Sequence, residues 1–209
     1  MGLSLKLSAN DLAALLCSRV CHDIISPVGA INNAIELFDD GAAQDDAIDL
    51  IRMSAANASA RLQFARMAFG ASGASNSEID LREAAIVAQK YMEHEKADLL
   101  WQLEPRLIAK NAVKLLLNLI LIANASIPRG GRIQITSTGN DKQLQFILKV
   151  TGKLLRVAPK FKLLHDNVPL DEPIDAHMVQ SYYTLLLADI ANMPITVDEE
   201  QDFICFKAG

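Results

Sequence analysis

A chain of 209 residues, 51% apolar and with a net charge of −5, is long enough for two small domains and apolar enough to pack a core. Its acids and bases are interspersed, which excludes the basic stripe of a nucleic-acid surface, and its composition excludes disorder. Three cysteines, Cys17, Cys21 and Cys205, give no disulfide framework and read as reduced thiols of a cytoplasmic protein. No apolar run between membrane anchors reaches spanning length. The longest candidate, Ala112 to Ile127, is interrupted by Lys114, Asn118 and Asn124. Met1 to Lys6 has neither a signal-peptide core nor the serine or threonine that myristoylation requires. No nucleic-acid and no membrane partner is expected.

The first helix starts at Ser8, whose hydroxyl can cap the backbone while Asp11 stands three residues on. Leu12, Leu16, Val20, Ile24, Val28 or Ile31, and Ile35 recur at helical spacing as far as Phe38, and Asp39-Asp40-Gly41 turns the chain. A second helix runs from about Asp45 to Phe69 on the stripe Ile48, Ile51, Ala55, Ala58, Leu62, Ala65 and Phe69. Two long helices joined by a short loop form an antiparallel hairpin. One hairpin buries too little surface alone, so two copies are expected to pair as a four-helix bundle, making the protein a homodimer.

Gly70 to Ser77 is a small, polar stretch, and the chain divides there. The expected domains are a helical hairpin over 1–70, a linker over 71–79 and an α/β domain over 80–209. In the last, a helix from Leu81 to His94 follows Asp80 as its cap, and Leu99 to Leu103 reads as a strand stopped by Pro105. Asn111 to Ser126 is a strongly apolar helix. Arg132 to Thr138 and Gln143 to Val150 form a hairpin about Gly139-Asn140-Asp141. Thr151 to Pro173 carries little pattern. A helix over Asp175 to Asn192 and strands at Ile195 to Val197 and Phe203 to Phe206 close the chain. Helices with mainly antiparallel strands in this order predict a two-layer α/β sandwich.

On a helical wheel at about 100° per residue, Val20 and Ile24 centre the buried stripe and His22 lies opposite, in solvent. Asp11, Leu15, Ser18, Ser26, Gly29 and Asn33 share its face, which is small and mostly polar. Cys17 and Cys21 fall nearer the buried side. With His22 they lack the spacing of covalent haem attachment, and no metal site is expected. His94, His165 and His177 read as surface or structural residues.

The string His22-Asp23-Ile24-Ile25-Ser26-Pro27-Val28-Gly29-Ala30-Ile31 resembles the phospho-acceptor box of two-component signalling helices. The whole order of hairpin, linker and sandwich is similar to sensor histidine kinases. In such a box the histidine is the nucleophile. A carboxylate at Asp23 can accept a hydrogen bond from one ring nitrogen and leave the other free to attack, and Arg19, one turn back, can offset phosphoryl charge. Pro27 removes a backbone donor just after it.

The second half departs from the kinase pattern. Leu115 to Ile120 resembles the asparagine box. Aligned on Asn118, the second asparagine becomes Ile122; aligned on Asn124, the first becomes Ile120. The aspartate and glycines of the nucleotide loop are missing from Val150-Thr151-Gly152-Lys153-Leu154. No glycine stands in Asp175-Ala176-His177-Met178-Val179, where a glycine-rich segment would cradle phosphates. The chain therefore resembles the histidine phosphotransferases of alphaproteobacterial cell-cycle phosphorelays, which have a degenerate ATPase-like domain.

That resemblance implies His22 and Asp23 as the catalytic pair and no ATP or other cofactor, with Mg2+ supplied by the partner's receiver domain. It implies reversible transfer between the receiver of a CckA-like hybrid kinase and CtrA-like and CpdR-like response regulators. Leu15, Ser18, Arg19, Ser26 and Asn33, around the histidine, are expected to touch the receiver.

Overall fold

The computed structural model describes residues 6–41, 44–70, 77–139 and 143–209. Helix α1 spans Ala9–Asp39 and α2 spans Gln44–Phe69, packed antiparallel. Ser8 caps α1 as expected: its hydroxyl oxygen accepts the Asp11 N–H at 3.2 Å. At the far end Gly41 takes φ +74°, which an L side chain resists. On α1 only Pro27 and Ala34 are buried. Ile25, Val28, Ile35, Leu37 and Phe38 stay exposed, as do Cys17 and Cys21. The two cysteines are thus not on the covered side, because the apolar surface of α1 is wider than one neighbouring helix can cover.

Among the described residues α1 is also the one helix long and apolar enough to cross a membrane by length and composition alone. The interrupted run at Ala112 to Ile127 was therefore not the longest candidate. Asp11, Arg19, Asp23 and Glu36 lie along α1.

Residues 71–76, most of the expected linker, lie outside the described residues, as does Asn140-Asp141 of the expected hairpin turn. The end of that linker is ordered chain. Strand β1, Glu78–Asp80, pairs antiparallel with β3, Leu107–Ala109, and this ribbon brackets the starts of α3 and α4. Helix α3, Leu81–Met92, is capped by Asp80, which accepts the Arg82 N–H at 2.8 Å. The two groups also pair through their side chains. The guanidinium holds the Asp80 carboxyl below the usual range, and the carboxylate holds the Arg82 guanidinium above its own.

The remaining elements are β2 (Ala97–Trp101), α4 (Lys110–Ala125), β4 (Gly131–Thr138), β5 (Gln145–Gly152), α5 (Pro159–His165), α6 (Val179–Ala191), β6 (Ile195–Glu199) and β7 (Ile204–Ala208). The five-stranded sheet runs β2-β4-β5-β7-β6, parallel only between β2 and β4. Alternation sorts its faces. Ile133, Ile135, Phe146, Leu148, Val150, Ile204 and Phe206 form the buried face. Arg132, Gln134, Lys149 and Lys207 stand on the other. Helix α4 lies over β4 and β5 and packs along α6, while Phe161 of α5 meets Phe206 edge-on at 6.2 Å. The fold is a helical hairpin followed by a two-layer α/β sandwich.

The sandwich grips the hairpin at three places. Tyr182 of α6 accepts the Leu7 N–H at 3.0 Å, before α1 begins. Arg61 of α2 pairs with Glu95 at 2.8 Å and lies over the Tyr91 ring. At the end of α2 two carbonyls are capped from α4. Asn118 Nδ2 donates to Ala68 O at 3.1 Å, and Lys114 Nζ reaches Phe69 O at 3.4 Å. A helix C-terminus leaves such carbonyls unpaired and favours a cation beside them.

Candidate functional site

His22 projects from the middle of α1 with its side chain 67% exposed. Ser18, Ser26 and Asn33 are exposed on the same face, as the helical period requires. Leu15, two turns before the histidine, is half-buried. It packs against the sandwich core and, with Leu7, Asp11 and Ala14, lines one wall of a cavity of about 830 Å3. The opposite wall is the chain from Leu164 to Ile174. Thus Leu15 faces the sandwich as well as solvent.

Asp23 and Arg19 are placed differently from the expectation. Asp23 Oδ1 stands 3.8 Å from His22 Nδ1, beyond hydrogen-bond reach. Its other oxygen accepts from Arg19 Nε at 2.9 Å. One residue along a helix turns the side chain by about 100°, so Asp23 cannot share the face of His22. It points instead into the junction of α1, α2 and α3, beside Arg61 and Tyr91. Arg19 follows it there and is half-buried. Of the two His22 ring nitrogens, Nδ1 is the one that stands 3.8 Å from Asp23, and Arg19 is occupied.

Behind Asp23 lies a group of side chains with no sequence motif. Burial and the nearby Glu95 carboxylate push the Tyr91 hydroxyl up to about 12. Arg61 Nη1 approaches that hydroxyl at 3.4 Å, and Arg61 Nε donates to Asn57 at 2.8 Å.

The histidine has a neighbour the sequence did not reveal. The His177 ring, from the turn before α6, meets the His22 ring edge to face, with centroids 5.3 Å apart at 79°. His177 is thus not an unrelated surface residue. Nothing in the spacing of positions 22 and 177 announces this contact, because the fold of both halves creates it. His165, by contrast, is structural as expected, bonded to Ile195 O at 2.9 Å and stacked on Phe161.

The positions where a kinase would hold nucleotide are used for packing. Asn118 is fully buried: Nδ2 donates to Ala68 O and Lys114 O, and Oδ1 accepts from Gln180 Nε2 at 2.7 Å. Asn124 donates to Glu95 at 3.0 Å. A Cβ on Gly152 would stand 2.8 Å from Gly130 O and 2.9 Å from Ile127 Cγ2, so close backbone packing accounts for that glycine. The Asp175 carboxylate accepts the N–H groups of His177 and Met178 at 2.9 and 2.7 Å. It is held below the usual range chiefly by the Met178 bond, and it occupies donors a phosphate would need. Among the described residues no cluster of three or more His, Cys, Asp or Glu side chains is arranged for a metal ion.

A hairpin that presents a single-histidine acceptor box, joined to a sandwich whose nucleotide positions serve as packing, defines a phosphotransfer protein. The chain belongs to the histidine phosphotransferases: the model of the histidine phosphotransferase C-terminal domain matches residues 81–203. It is 53% identical to protein phosphotransferase ChpT of Brucella abortus (strain 2308) over 208 residues, covering 100% of both chains. A solved bacterial phosphotransferase is 52% identical and superposes with a TM-score of 0.95 over 100% of both chains. The histidine kinase AdeS of Acinetobacter baumannii aligns with 90% of this chain and 95% of its own at 12% identity and a TM-score of 0.47.

Proposed function

We propose that His22 carries the phosphoryl group of a phosphorelay. It accepts the group from the receiver aspartate of a CckA-like hybrid kinase and hands it to the aspartates of CtrA-like and CpdR-like response regulators, reversibly. The observation that carries this reading is the exposed His22 imidazole on a face that also carries the exposed side chains Ser18, Ser26 and Asn33.

The chemistry follows from the two ring nitrogens. The charge of Asp23 beside Nδ1 favours the tautomer with its proton there and leaves the Nε2 lone pair to attack phosphorus. The P–O bond to the receiver aspartate then breaks, its electron pair leaving on the carboxylate. Such a transfer needs position and charge compensation more than covalent help. Mg2+ comes with the receiver. Arg19 holds Asp23 in place, so its part is indirect. Ser18, Ser26 and Asn33 flank the histidine as receiver contacts, and Leu15 supplies an apolar contact at the edge of the cavity.

The commitments of Asn118, Asn124, Gly152 and Asp175 support transfer without ATP. The exposed side chains Ile25, Val28 and Ile35 support a homodimer paired through α1 in a four-helix bundle. The protein acts in the cytoplasm, where its partners' receivers are. The test is transfer of labelled phosphate from a phosphorylated receiver to the full chain. Wild type acquires label and His22→Ala does not; labelling by ATP alone, or of His22→Ala, sinks the reading.

A further inference from the structure

A phosphoryl group arriving on His22 brings negative charge to a face with little positive charge of its own. Arg19, the nearest cation along the helix, is taken by Asp23. The side chain in ring contact with His22 is His177, and a protonated imidazole is a cation.

Its placement is specific. The Asp175 carboxylate accepts two backbone N–H groups of the turn, so the segment that carries His177 is fixed before α6 begins. The ring itself is exposed, and among the described residues neither of its nitrogens has a hydrogen-bond partner. The charged and titratable groups around the two rings are few. On α1 they are Asp23 and Arg19, paired with each other. On the turn there is Asp175, on which Lys160 of α5 and His177 itself both act. Arg61, Tyr91 and Glu95 lie on the far side of Asp23.

Resting on the reading of His22 as the acceptor, we propose that His177 is a second catalytic imidazole, which as imidazolium donates a hydrogen bond to the phosphoryl oxygens in transit to His22. The His22 Nε2 lone pair forms the P–N bond while the P–O bond to the receiver aspartate breaks onto the carboxylate. The Nδ1 proton stays beside Asp23, and His177 lends a hydrogen bond without giving up its proton. The hairpin thus supplies the nucleophile and the sandwich supplies the cation. This gives the sandwich a part in the transfer itself that needs no nucleotide.

Two imidazoles with opposite requirements produce a bell-shaped pH profile. His22 must be neutral, which makes the rate rise with pH, and His177 must be charged, which makes it fall. The limbs belong to the pair, since the rings touch. The experiment is the rate of phosphoryl transfer from a phosphorylated receiver to the full chain, followed between about pH 5 and 9, where imidazoles titrate. His177→Gln loses the falling limb and is slower at the wild-type optimum by about tenfold, less than a buried oxyanion donor contributes because the site is open to water. His177→Lys, a fixed cation, keeps its rate across the range where wild type declines. A His177→Gln profile that matches wild type, or the same shape at a higher rate, overturns the proposal. His22→Ala in the same assay separates the two ideas: without label on it the acceptor reading stands whatever His177 does, and with label on it that reading falls first.

Discussion

Asn118→Leu tests whether the asparagine-box position has become a strut between the hairpin and the sandwich. Asn118 is fully buried and makes three side-chain hydrogen bonds. Leucine is similar in size, so little cavity forms. Lys114 O keeps its helical partner. Ala68 O, at the open end of α2, loses its donor, and Gln180 Nε2 is left with Thr184 Oγ1 at 3.5 Å. Two buried polar groups without good partners cost about 1–3 kcal/mol each. The added apolar burial returns about 1 kcal/mol, so the net loss should be about 3 kcal/mol. Gln180 Oε1 already lacks a partner. Replacing Gln180 by leucine as well should therefore recover part of the loss, since two facing apolar groups cost less than one stranded amide. Urea unfolding of the full chain measures both variants, read as a shift in midpoint at constant slope. A single-variant loss below about 1 kcal/mol, a value typical of surface changes, would refute the strut.

Tyr91, raised to about 12 by burial and by Glu95, stays neutral in the folded chain while an unfolded tyrosine ionises near 10. The stability it protects is complete below pH 10 and is lost as pH rises through 12. At 1.36 kcal/mol per unit the loss is at most about 3 kcal/mol, and phenolate absorbance during alkaline titration should show late ionisation together with unfolding, with Tyr91→Phe separating its share from that of Tyr183, which burial also raises. Ile25→Glu places a carboxylate in the exposed α1 seam of each copy. In the proposed dimer Ile25, exposed in the single chain, would be covered in each copy, and losing both costs about 3 kcal/mol or more, so self-association should weaken at least about a hundredfold in sedimentation equilibrium, with the helix content unchanged. Asp23→Asn removes the charge 3.8 Å from His22 Nδ1 and the pair with Arg19. Transfer should slow while circular dichroism stays the same, and an unaltered transfer rate would take Asp23 out of the chemistry.

What the sequence disclosed was local chemistry. Ser8 and Asp80 cap helices because a short oxygen-bearing side chain precedes an apolar period, and both act as read. The hairpin β4–β5 was legible because Ile133, Ile135, Phe146, Leu148 and Val150 alternate with polar residues. Strands β1 and β3 have three residues each, too few for any period, and their pairing depends on chain 27 to 31 residues away. Helix α5, Pro159–His165, has only Phe161 and Leu164 as inward residues. The apolar stripe of α1 was found, but periodicity cannot separate what α2 covers from what is left exposed. Hence Ile35 and Val28, the latter read as an alternative to Ile31 on the stripe, are exposed in the single chain, while Ile31 is half-buried. The histidine face was legible from the helical wheel. The Asp23 geometry was misjudged because adjacency in a motif was taken for adjacency in space. His177 was invisible for the opposite reason, since 155 positions separate it from the ring it touches.

The three grips on the hairpin bear on the proposed transfer without nucleotide. A domain that delivers its own phosphate to a histidine on another domain must be free to approach and withdraw. Here the sandwich holds the start of α1 through Tyr182, the middle of α2 through Glu95, and the end of α2 through Asn118 and Lys114. Burial holds the Lys114 ammonium below the usual lysine range, with the neighbouring charge of Lys110 adding to it. Part of that cation's electrostatic gain at the α2 terminus is thus offset by the cost of desolvating it. Asn118, neutral and with all its partners supplied by the chain, carries no such cost. The residue type that a nucleotide site would use for magnesium is well suited to a buried helix cap, because an amide offers donors to carbonyls on one side and an acceptor on the other. In the proposed relay, where the phosphate comes from a partner, fixing the sandwich loses nothing and keeps His177 against His22.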